Sequence, residues 1–176
     1  SVCAALFWGV VLCAQALAAS EGSFHRVISV TGAVNVDLVT GSGNVNVRTG
    51  SSNQVQITGH IRAGGWLSDG GGADEKVRKL EANPPIQQSG NDIRIGHIDD
   101  PELRHNVSIS YDVVVPENTE LHSHTGSGDQ QIEGLHGTVE VGSGSGRLSI
   151  SDIGDAVRAE AGSVEMEIHD VKVNLK

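Results

Sequence analysis

The sequence predicts an all-β protein, a β-solenoid of 18-residue coils with one short inserted helix. The main sign is a repeat: Thr125-Gly126-Ser127-Gly128, Ser143-Gly144-Ser145-Gly146 and Ala161-Gly162-Ser163-Val164 begin 18 residues apart. Inward positions keep the same register. Ile132, Ile150 and Ile168 form one column, Leu135, Ile153 and Val171 a second, Leu121, Val139, Val157 and Leu175 a third, and Gln130, Leu148 and Met166 a fourth. A fixed period with apolar positions in register is the sequence signature of stacked coils. Composition agrees: the chain has 23 glycines, and past residue 19 its only aromatics are Phe24, Trp66 and Tyr111. Ladders of Val, Ile and Leu that pack on their own copies need no large side chains.

Residues 1–19 carry no charge, and an apolar run over residues 4–12 precedes a cleavage motif, Ala16-Leu17-Ala18 or Leu17-Ala18-Ala19. This reads as a secretory signal peptide, too short for a membrane span and followed by a polar chain. With no initiator Met and no basic n-region, the sequence is read as starting inside its reading frame. Leu12 stands before Cys13, where a lipoprotein signal needs a small residue, so lipid anchoring is not expected. Residues 20–176 are read as one domain.

Residues 27–39 alternate, with Val34, Val36 and Leu38 on one face and Asn35 and Asp37 on the other. Thr40-Gly41-Ser42-Gly43-Asn44 then repeats the turn at residues 125–129, with Val45 and Val47 inward and Asn44, Asn46 and Arg48 outward. Val55, Ile57 and His60 or Ile61 continue as a strand. Gly-rich chain around Trp66 leads into a helix predicted over residues 73–82. Asp74 and Glu75 lie in its first turn, Arg78 and Lys79 near its end, and Val77 and Leu80 on one face. Asn83-Pro84-Pro85 stops it, and its expected place is over an open edge of the stack. Ile93 and Ile95 mark a strand, and residues 107–113 alternate cleanly up to Pro116. After Val171 another coil begins and runs to Lys176 with no capping repeat, so the sequence is read as truncated at its C-terminus.

Both cysteines, Cys3 and Cys13, fall in the leader, so the mature chain is expected to lack disulfides and Cys-held metals. A formal net charge of −10 argues against nucleic acid and anionic membranes as partners, and few aromatics leave few stacking platforms for bases or sugar rings.

The order of elements (Phe24 before alternating Val and Ile, a Gly-Ser-Gly-Asn strand pair, a helix, the strand Ser108-Ile109-Ser110-Tyr111-Asp112-Val113-Val114-Val115-Pro116, then TGSGD-type coils) resembles the bacterial putative-adhesin family. This is a domain of unknown function with β-strand repeats, similar to the head GIN domain of autotransporter-like adhesins. The resemblance spans residues 24–176. It implies a single-stranded right-handed β-solenoid, exported to the periplasm, cell surface or medium, with no catalytic residues to carry over. Ala161-Gly162-Ser163-Val164 departs from the family's Gly-Asp turn.

Candidate sites are few. His122 and His124 are placed on one outward face with Glu140 stacked beside His122, a conceivable two-His, one-carboxylate metal set. Arg158 extends that column, so a ladder of complementary charge is the stronger reading, and no cofactor is expected. Gly126-Ser127-Gly128-Asp129 is similar to a calcium-binding nonapeptide, but Arg147 and Glu165 replace Asp129 in the next copies. Trp66 is the candidate partner-binding residue. Asn106-Val107-Ser108 fits a glycosylation triplet, a pattern common by chance.

The chain is therefore read as a non-catalytic envelope or surface protein that binds an unknown protein or glycan. The alternative is a polysaccharide-active β-helix enzyme. Its outward carboxylates Glu133, Glu140, Asp152, Glu165 and Asp170 stand in columns beside Ser, Arg or Gly, unlike a paired acid–base site. Asp152 and Asp170 sit at a coil corner, where a turn role explains them.

Overall fold

The computed structural model describes residues 19–64 and 72–171. The fold is all-β with two short helices. In chain order the strands are β1 (Ser20–Ser29), β2 (Val34–Ser42), β3 (Val45–Thr49) and β4 (Gln54–Ala63). Then come α1 (Ala73–Ala82), β5 (Ile86–Ser89), β6 (Asp92–Ile95), α2 (Pro101–Arg104) and β7 (Val107–Val115). The coils follow as β8 (Thr119–Ser127), β9 (Gln130–Glu133), β10 (Val139–Ile153) and β11 (Val157–Val171).

The 18-residue repeat is a physical register. Val139 of β10 pairs in parallel with Leu121 of β8 and Val157 of β11, and Ile150 pairs with Ile132 and Ile168. Each coil bends at its Gly-rich turn, so β8 and β9 lie beside the two halves of β10 on opposing walls. One wall runs β5-β6-β2-β8-β10 and the other β1-β4-β7-β3-β9-β10, joined into a single sheet curled as a half barrel. Between the walls lies the core, with Val34, Val36, Leu38, Leu121, Ile132, Val139, Leu148 and Ile150 all fully buried. Each such side chain contributes roughly 1.5–3 kcal/mol by leaving water.

The expectation of one uniform stack needs correction in two places. The first coil, β2 and β3, joins the repeat out of sequence: Val36 pairs with Leu121 and Val45 with Gln130. The wall beyond β3 is antiparallel, β7 to β4 and β4 to β1, and β5 with β6 forms an antiparallel hairpin. Phe24 and Tyr111 set that wall. Both face Gly59 across their strands, and the two rings meet edge-on at 6.3 Å. A side chain at Gly59 would collide with the Phe24 ring.

The predicted helix is present with its predicted bounds. It packs on β1 and β4, burying Val77 and Leu80, and Glu81 accepts a hydrogen bond of 2.9 Å from the backbone N–H of Ser23 on β1. The helix thus covers the edge strand, as expected. Gly22 admits this approach, since a Cβ there would strike Val77. Lys79 and Glu75 pair at 2.8 Å, which lowers the Glu75 pKa and raises that of Lys79.

Ser123 and Gln130, polar residues inside the coils, are hydrogen-bonded. Ser123 donates to Gln130 at 2.6 Å, and the Gln130 amide donates to the Gly142 carbonyl at 2.9 Å. Asp129 accepts from the backbone N–H of Arg147 at 2.8 Å, and Asn44 accepts likewise from Asp129 at 3.1 Å. These residues after each Gly-Ser-Gly turn staple one coil to the next, which accounts for Asp129 without calcium. At the opposite corner Gly134, Asp152 and Asp170 share one column and are all left-handed, with φ of 80°, 52° and 50°. The turn role expected of both aspartates is the one they hold.

Candidate binding cleft

The outward row that holds His122 crosses five strands in the order Arg94, Asp37, His122, Glu140 and Arg158. His122 Nδ1 lies 3.3 Å from Glu140, and its Nε2 lies 3.3 Å from Glu120 on its own strand. Asp37 sits 3.5 Å from Arg94 and 3.0 Å from His97 Nε2, although the latter approach is not aligned as a hydrogen bond. The imidazole therefore stands between two carboxylates, and arginines close both ends of the row. His124 follows two residues on, also outward, opposite Gly142, whose missing side chain gives its ring room. The structure brings His122 and Glu140 together as read from the sequence. Among the described residues no three His, Cys, Asp or Glu side chains converge to hold a metal ion. Trp66 lies outside the described residues.

Beside this row is a feature that the sequence reading passed over. Where β2 reaches its turn, the chain leaving β6 swings away at Gly96 (φ +83°), a position where a Cβ would collide with the Val39 carbonyl. Asp100 caps the short α2 by accepting from Glu102 N–H at 2.9 Å, and left-handed Asn106 (φ 57°) turns the chain back into β7. Lys76 holds this loop from outside, donating to the His105 carbonyl at 2.9 Å. The detour leaves a cleft of about 460 Å³ between the loop, the start of β7 and the ends of β2 and β8. That is within the range of small-molecule sites.

Val39, Ile98, Val107 and Ile109 supply apolar walls, and Asp99, Arg104 and His124 also line the cleft. Tyr111 forms the floor. It is 1% exposed, its hydroxyl lies near Gly96, and among the described residues no group partners that hydroxyl. Burial raises its pKa, so it stays a neutral donor. The sequence carried one signal for this: a Tyr in an inward register, between Ile109 and Val113, takes a hydroxyl into a core that must then supply a partner. The cleft itself depends on contacts between segments far apart in the chain, which periodicity does not report.

No family model matches the chain. No curated protein matches it either. Among solved structures it is similar to a putative cell adhesion protein from Clostridium sporogenes, at 12% identity and a TM-score of 0.50, covering 86% of this chain and 100% of that one. A putative adhesin from Bacteroides fragilis aligns over 88% of this chain and 98% of its own, at 12% identity and a TM-score of 0.28. The first likeness is one of fold. Among the described residues no helix is long and apolar enough to cross a membrane.

Proposed function

We propose that this chain is a non-catalytic, exported binding module of the bacterial surface, of the adhesin type, whose coils wind as a right-handed solenoid. The observation that carries the reading is the fold shared with the Clostridium sporogenes putative cell adhesion protein over that protein's whole length. The uncharged, apolar leader supports export. Right-handed winding follows from the strong bias of crossovers between parallel strands of one sheet. The outward rows support a passive scaffold. They change character from coil to coil, and their carboxylates face cations or occupy turn corners, unlike an acid–base pair aimed at one bond.

The test is a glycan array and a binding screen on host and bacterial surface proteins, run beside a panel of polysaccharide hydrolysis assays. Saturable binding without turnover is the expected result. Turnover of any polysaccharide would overturn the reading in favour of a β-helix enzyme.

A further inference from the structure

We propose that the cleft between the β6–α2 loop and β7 binds a free α-amino acid with an aliphatic side chain. The ligand's carboxylate meets Arg104, its ammonium meets Asp99, and its side chain lies against Val39, Ile98, Val107 and Ile109. The buried Tyr111 hydroxyl takes no part. The inference goes beyond the adhesive reading and stands whether or not that reading does.

The charges on the cleft select a zwitterion. Arg104 and Asp99 both line it and are both exposed, and neither makes an ion pair among the described residues. An arginine holds a carboxylate through paired, charge-assisted hydrogen bonds, and an aspartate accepts from an ammonium in the same way. A monocarboxylate satisfies Arg104 but is repelled by Asp99, and an amine meets the reverse. A neutral apolar molecule covers both charges and partners neither, which costs free energy. An α-amino acid carries both partners on one carbon. Asp100 and Glu102, in the same loop, and the net charge of −10 add to the bias against a ligand that is anionic overall. The walls select the side chain. All four are aliphatic, so an apolar group gains by leaving water there, and a volume of about 460 Å³ admits it.

The experiment is a heteronuclear NMR titration of the purified chain, following the backbone amides of Gly41, Gly96 and Gly126, which line the cleft. The probes are L-leucine, isocaproate (leucine without its amine), isoamylamine (leucine without its carboxylate) and glycine. L-Leucine is expected to shift these amides with millimolar affinity, and each comparison compound to bind at least about threefold more weakly. Asp99→Asn should weaken leucine about threefold and leave isocaproate no weaker. Arg104→Gln should weaken leucine about 3- to 10-fold and leave isoamylamine no weaker. A merely structural role would weaken every probe alike and lower the melting temperature, which neither exposed residue is expected to do. Absence of leucine binding, leucine binding no tighter than that of isocaproate or isoamylamine, or binding that neither substitution alters would overturn the proposal. The glycan array and the surface-protein screen are run without leucine, so failure here and failure of the adhesive reading are distinguishable.

Discussion

His122 Nδ1 lies 3.3 Å from the Glu140 carboxylate on the neighbouring parallel strand, one coil further along the chain. Both side chains are about half exposed, at 47% each. An exposed pair of this kind contributes under about 1 kcal/mol and is screened by salt. Glu140→Gln should therefore cost less than about 1 kcal/mol. Glu140→Lys, which sets a cation between His122 and Arg158, should cost about 1 kcal/mol more at low salt. Urea unfolding at low and high ionic strength measures both. A loss above about 2 kcal/mol that salt leaves unchanged would show that the row does more than balance charge.

Gly128 tests the turn that makes the coil. Its φ is +144°, and a Cβ there would collide with the Gly43 carbonyl of the adjacent coil. Gly146 meets the Gly128 carbonyl in the same way, so the requirement passes up the stack. Gly128→Ala should cost about 3 kcal/mol or more, because both the backbone angle and the strand spacing must yield. Gly41 is the control, since a Cβ there meets nothing within 4 Å. Gly41→Ala should be neutral or stabilise by up to about 1 kcal/mol. Equal thermal shifts in the two variants would refute the close-approach argument.

The contrast between these glycines shows where the sequence was legible. Repetition is written along the chain, so the 18-residue register, the inward columns and the corner positions of Asp152 and Asp170 could be read directly. Helix α1 was equally plain, because its charges and its Val77–Leu80 face are local. The antiparallel wall was not legible. Pairings such as Phe24 with Gly59 and Gly59 with Tyr111 join segments with no common pattern. The cleft lies where that wall, the β6–α2 loop and the first coil meet. For the same reason its floor was visible only as one of three scarce aromatics.

Ile150 and Ile168 occupy one column and face the same way, yet Ile150 is fully buried and Ile168 is 43% exposed. Among the described residues β11 pairs only with β10, so its inward side is less covered. Ile150→Ala should cost about 2–5 kcal/mol, the range for a deleted core side chain. Ile168→Ala should cost under about 1 kcal/mol, since much of its surface already meets water. Comparable losses in urea unfolding would mean that Ile168 is covered in solution by something further.

Tyr111 gives the fold a defined alkaline limit. Burial raises the phenol above its ordinary value of 10.0, so the folded chain holds the proton after the unfolded chain has released it. Below pH 10.0 both states are protonated and this group adds no pH dependence. Above it the unfolded state binds fewer protons, and stability falls by about 1.4 kcal/mol per pH unit until the folded phenol also ionises. Tyr111→Phe removes this contribution, so the variant's stability should fall more slowly than the wild type's over the same alkaline range. Because the sequence holds a single tyrosine, near-ultraviolet tyrosinate absorbance reports this group alone. It should appear together with unfolding. Tyrosinate forming near the ordinary pH in a still-folded chain would show that the hydroxyl is in contact with solvent and overturn its burial.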